Sequence, residues 1–268
     1  MIQLECNINQ KLKGEKMKES NDSSLYLSWV FFKNNLGVSF GVIGVLFVLV
    51  LLSTIQYIGF VFSLLEAFLI ISIGAFFAKK IVNCNSEDEM AEISRKTTFQ
   101  SFIMDNLTMA LGVYLGSLIV FILIFAIIGV LGALAGNEIE AMYYTGHISS
   151  LAVILIIIDV ILLIITFYIY PAVAGEAYMS DNFTDAFKKM FLFLNPKFWK
   201  KTFNAKYMIL VLIWMMVFPS ALILSVLGMF VLVGFVLLFI LSLYSAGIYG
   251  YAYNIVHLND KIETQKED

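Results

Sequence analysis

Residues 207–253 run for 47 positions without one charged side chain. A helix needs roughly 20 apolar residues to cross about 30 Å of hydrocarbon, so this run holds two crossings and a turn, which falls near Gly228. A large soluble core would need a polar surface to match, and the composition denies it one. The chain is 60% hydrophobic and 14% charged, where soluble domains carry about 25% charged residues. Lipid is therefore the solvent for most of it.

The same reasoning places the remaining spans. Residues 36–78 carry a single charge, Glu66, and hold two crossings turned at "STIQY" (53–57). With one span at 107–135 and another at 149–170 before Pro171, the expected set is 36–53, 57–78, 107–135, 149–170, 207–227 and 230–253. The fold class is an all-α polytopic bundle: a segment 1–35, a six-span domain 36–255 and a tail 256–268. Lys and Arg number five before the first span, four between the second and third, six between the fourth and fifth, and two after the sixth, which accounts for all 17. Basic residues mark the cytoplasmic side, so both termini are expected there, in a multi-pass protein of the cell membrane.

Positions 1–35 are polar to mixed and show no cleavable signal peptide, and translation starts at Met1 or at Met17. Cys6 and Cys84 both fall on the cytoplasmic side of this topology, where reduced thiols are the rule. A net charge of −3 gives no electrostatic case for nucleic acid. Motifs for phosphate binding, zinc proteolysis or a nucleophile elbow are missing, and no cofactor or catalytic residue is expected. Glu138, Glu140 and His147 share the outer loop, where a solvated acidic loop is the simpler reading than a metal site.

Connection 176–206 repeats Phe183, Ala186, Phe187, Met190, Phe191 and Leu194 at the spacing of one helical face. With Lys188, Lys189, Trp199, Lys200 and Lys201, these residues predict an amphipathic interfacial helix. Phe183, Phe187, Met190 and Phe191 would enter the inner leaflet and the lysines would meet anionic headgroups. A brace packed under the bundle fits the same pattern. Aromatic lead-ins precede each hairpin, and Phe31/Asn35/Leu36 matches Phe102/Asn106/Leu107. That spacing reads either as a threefold repeat of hairpins or as the lead-in any entering helix needs.

Glu66 and Asp159 interrupt apolar spans, where a carboxylate costs about 2.5–3.5 kcal/mol at the centre. By residue count both sit near the midplane, and no basic residue lies in any span. Gly59, Ser63, Glu66, Ile70 and Gly74 form a small, polar stripe expected to face the bundle, and Thr166 shares the face of Asp159. Two carboxyls sharing one proton would meet both burial problems. The four residues Glu66, Asp159, Ser63 and Thr166 form the candidate site for a proton or cation; structural burial is the other reading. Small-residue pairs such as Gly112/Gly116 and Gly132/Gly136 predict close helix packing.

The second half, with "AFKK" at 186–189, Tyr207 and the ending "GIYGYAY" at 247–253, resembles the uncharacterised prokaryotic multi-pass proteins grouped as DUF4013. That resemblance implies a membrane protein with no settled activity and no site residues to carry over. The function expected is a non-enzymatic membrane scaffold or partner-binding component whose cytoplasmic segments 79–105 and 176–206 form the interaction face. The alternative is a small transporter or permease subunit using the two acids. The expected partners are the lipid bilayer and a cytoplasmic or membrane protein, with no nucleic acid and a small-molecule or ion substrate left open.

Overall fold

The structure, a computed structural model, describes residues 20–84, 86–145, 149–228 and 233–267. Cys6, Met17 and His147 lie outside the described residues, as does the side chain of Glu140. In chain order the helices are α1 (Ser20–Asn34), α2 (Leu36–Ser53), α3 (Gly59–Ile81), α4 (Glu87–Lys96), α5 (Phe99–Ile103) and α6 (Leu107–Thr145). There follow α7 (Ser150–Tyr178), α8 (Phe183–Met190), a 3-10 turn at Phe191–Leu194, α9 (Pro196–Thr202), α10 (Ala205–Gly228) and α11 (Val233–Glu267). No strand occurs among the described residues. Six helices, α2, α3, α6, α7, α10 and α11, are long and apolar enough to cross a membrane, which makes this a multi-pass membrane protein.

The six pair as hairpins α2–α3, α6–α7 and α10–α11. Helix α11 is the central post: 61% of its most apolar window is buried, against 17–39% for the other five. Helices α3 and α7 pack along it. The short helices α1, α4, α5, α8 and α9 gather at the end of the bundle where the hairpins begin and return, forming a collar.

Helix α1 belongs to the core of that end. Leu27, Val30, Phe31 and Phe32 are buried, and so are Ser24 and Ser28. A serine satisfies itself in an apolar setting by bonding backbone: Ser28 Oγ donates to the Ser24 carbonyl at 2.7 Å, and Ser24 Oγ donates to the Tyr244 carbonyl of α11 at 3.1 Å. Phe31 then stands in a cluster with Phe77 (5.7 Å between ring centres) and Phe102 (5.2 Å). Ser94 of α4 ties the outer side by donating to the Phe31 carbonyl at 2.6 Å.

An asparagine immediately precedes the first helix of every hairpin: Asn35 before α2, Asn106 before α6 and Asn204 before α10. Asn35 Oδ1 accepts from the Val38 N–H at 3.2 Å, and Asn204 Oδ1 from the Tyr207 N–H at 2.8 Å. Both are N-terminal caps of the orphan amides at a helix start. Asn106 instead accepts from Lys79 Nζ at 3.1 Å. The two phenylalanines of the matching motif, Phe31 and Phe102, touch each other.

Helix α7 continues through Pro171 to Tyr178, past the expected end of its span at residue 170. Proline bends such a helix by removing a donor, and a side chain from a neighbouring helix enters at the adjacent rung. The Tyr207 hydroxyl of α10 donates to the Tyr168 carbonyl at 2.6 Å and accepts from the Ala172 N–H at 3.2 Å. It thus stands inside the hydrogen-bond ladder of α7, a recognised cause of a kink. Beyond it, Pro171, Ala172, Val173, Ala174, Gly175, Glu176, Ala177 and Tyr178 are all buried.

Candidate functional site

Glu66 is half-buried on α3 and Ser63 is exposed, its Oγ donating back to the Gly59 carbonyl at 3.3 Å. The stripe expected to face the bundle does so at its Gly74 end, where Tyr178 covers it. Asp159 lies on α7 against Gly132 of α6; its Oδ2 stands 3.7 Å from where a Cβ on Gly132 would be. Its Oδ1 is buried and has no hydrogen-bond partner among the described residues. Thr166 is buried and donates to the Leu162 carbonyl at 2.7 Å, one turn back on its own helix.

No described contact brings these four residues together. Phe68, two residues beyond Glu66, packs edge-on against Tyr114 of α6 at 5.0 Å. Gly132, where Asp159 rests, is 18 residues further along α6, about 27 Å at 1.5 Å per residue. Among the described residues no hydrogen bond joins the two carboxyls. Residue depth within a span fixes neither tilt nor the neighbour chosen.

A third acid was missed. Glu176, in the buried inner end of α7, is 6% exposed, and its Oε1 lies 2.7 Å from Nε2 of His257 on α11. The imidazole in turn packs on Tyr253 at 4.3 Å between ring centres. The signal that could have found it was the small, apolar "PAVAGEAY" around a lone carboxylate, which reads as helix once Pro171 is allowed inside one.

The expected lipid-facing helix, α8, lies flat against α6. Gly112 and Gly116 permit this: a Cβ on Gly112 would collide with the Phe183 carbonyl, and one on Gly116 would come within 2.8 Å of Met190 Cβ. Met190 is 1% exposed and packs on Gly116 of α6. Phe183, Phe187 and Phe191 are half-buried and stacked in series, at 5.9 and 5.2 Å. Lys188 is exposed, while Lys189 reaches Asp185 at 3.1 Å. Of the α9 residues, Trp199 is half-buried with its indole N–H donating to the Phe193 carbonyl at 2.8 Å, Lys200 is exposed and Lys201 is half-buried.

Hydrogen bonds fasten the collar to the spans. Asn35 Nδ2 donates to the Ser94 and Thr97 carbonyls at 2.6 and 2.8 Å, and Lys79 Nζ to the Ser180 carbonyl at 2.7 Å. Helix α4 is capped by Ser86, whose hydroxyl accepts from the Glu89 N–H at 3.2 Å. It buries Met90, Ala91 and Ser94 and turns Glu87, Asp88, Glu92, Arg95 and Lys96 outward. The Tyr26 hydroxyl donating to Glu87, together with Lys33 at 3.1 Å, holds that carboxyl below the usual carboxylate range. Among the described residues no group of three or more His, Cys, Asp or Glu is arranged to hold a metal ion.

Family models, curated proteins and solved structures give no match to this chain.

Proposed function

We propose that this protein is a non-enzymatic scaffold or partner-binding component of the cell membrane, with both termini cytoplasmic and the collar as its interaction face. The observation that carries the reading is α4. This ten-residue helix is capped, docked on α1 by one face and fully committed to a charged face on the other. A rigid surface of mixed charge costs a binding partner little ordering entropy, and mixed charge favours specificity over strength. Segments 79–105 and 176–206 supply the collar residues around it. The test is site-specific photocrosslinking in cells from Glu92 and Arg95, with Leu212 on α10 as the lipid-facing control. A discrete protein adduct from the α4 positions and none from Leu212 supports the reading. No adduct from α4 contradicts it.

A second reading rests on the unpartnered Asp159 Oδ1. A carboxyl left without a partner inside a membrane span is a candidate coupling group for a transporter or permease subunit, here acting without Glu66. Proton or cation flux in proteoliposomes that is lost on Asp159→Asn would favour this reading over the scaffold.

A further inference from the structure

We propose that the junction of α9 and α10 is a binding site for an anionic phospholipid, its headgroup phosphate held by Lys197, Lys200 and Lys206 and an acyl chain laid along α10. This rests on the membrane reading alone and not on the scaffold role. Two kinds of observation support it: how the lysines of the collar are spent, and what lies next to the unspent ones.

Elsewhere in the collar the lysines are occupied, the exposed Lys188 excepted. Lys33 meets Glu87 at 3.1 Å, Lys79 meets Asp181 at 3.6 Å and Lys189 meets Asp185 at 3.1 Å, while Lys80 lies over the Phe76 ring. Stretch 195–206, "NPKFWKKTFNAK", contains four lysines and no acid. Among the described residues no carboxylate lies within ion-pair distance of Lys197, Lys200 or Lys206, and all three are exposed. Helix α9 is oriented by its buried residues Phe198 and Thr202. At about 100° per residue this sets Lys197, Lys200 and Lys201 on one contiguous arc, with Trp199 on the opposite flank. Each lysine close to an anionic membrane surface contributes about 1 kcal/mol.

The apolar neighbour distinguishes a lipid from a free phosphate. Phe203, between the two helices, is 71% exposed and stacks on Tyr168 of α7 at 6.0 Å. Its position is fixed because the Tyr168 hydroxyl donates to the Thr202 carbonyl at 2.7 Å. From there Met208, Ile209, Leu212 and Met216 continue as an exposed apolar face of α10. A phosphate beside a chain-length apolar track is the signature of a phospholipid. Inorganic phosphate would use only the first half of it.

The experiment uses the full chain in a neutral detergent, with added phosphatidylglycerol, phosphatidylcholine or inorganic phosphate, read by native mass spectrometry and thermal unfolding. The wild type should retain phosphatidylglycerol over phosphatidylcholine by roughly tenfold or more, given three lysines at the headgroup. K197Q/K200Q/K206Q should lose that preference, K197R/K200R/K206R should keep it, and K33Q/K96Q/K188Q, which removes as much charge elsewhere, should keep it too. Equal retention of the two lipids by the wild type, a preference that survives the glutamine triple, or its loss in the control triple would each overturn the assignment. So would inorganic phosphate giving the same thermal shift as phosphatidylglycerol.

Discussion

Removing one oxygen atom from Tyr207 takes a hydrogen-bond partner from two backbone groups of α7, the Ala172 N–H and the Tyr168 carbonyl. Tyr207→Phe should lower the unfolding free energy by about 1–3 kcal/mol, measured by reversible unfolding in mixed micelles. A change within a few tenths would mean that the hydroxyl is not closing the ladder. Asp159 has the opposite sign. Its Oδ1 is buried without a partner, so Asp159→Leu should stabilise the protein by about 1–3 kcal/mol if the residue has no partner in the membrane either. Glu87 lies outside the spans, and its carboxyl is held low by the Tyr26 hydroxyl and then by Lys33. A carboxyl with a lowered folded value stabilises above its unfolded value, and loses that contribution as pH falls through the folded one. The contribution of Glu87 to the α1–α4 contact is therefore present at neutral pH and fades under acid. Carbon-detected titration of Glu87 should give a value below the usual range, returning towards it in Tyr26→Phe; no return would remove Tyr26 as the cause.

At the scale of elements, the apolar runs made the six membrane helices legible, because hydropathy alone decides which segments leave water. Where those helices meet was not legible. Pro171 reads as a stop, yet α7 passes through it, and Tyr207, 36 residues later, bonds both groups of the adjacent rung, the Ala172 N–H and the Tyr168 carbonyl. Helix α1 reads as polar at Ser24 and Ser28, yet both serines face the core and bond backbone carbonyls. The glycines of the sequence showed that some surface comes close to α6, without showing that it is α8. Gly112→Leu should dislodge α8, because the new Cβ collides with the Phe183 carbonyl. Limited proteolysis should then cut within 180–190, with a loss of stability of about 2 kcal/mol or more. Gly37→Leu, where a Cβ meets nothing within 4 Å, is the control and should leave both unchanged. Equal behaviour of the two variants would show that α8 does not rest on α6.

Across the whole molecule, three hairpins start from asparagine-led, aromatic segments and enclose one buried post, α11. That plan separates what the sequence put side by side. Glu66 and Asp159 match in residue depth, but the α6 residues found near them, Tyr114 beside Phe68 and Gly132 beside Asp159, are about 27 Å apart by its helical rise. Conversely, the plan unites what the sequence kept apart, such as Glu176 with His257 and Phe31 with Phe102. The result is a bundle whose polar groups concentrate at the collar, with isolated carboxyls in the spans. A scaffold needs no water at those carboxyls, whereas a transporter must hydrate at least one from one side during its cycle. The decisive measurement is thiol access at both positions. With Cys6 and Cys84 replaced by serine, Glu66→Cys and Asp159→Cys should each stay unlabelled by a membrane-impermeant thiol reagent applied to either face of sealed vesicles, at any pH between 5 and 8. Labelling of either position from one face, changed by pH or by a cation, would contradict the scaffold and make the protein a transporter.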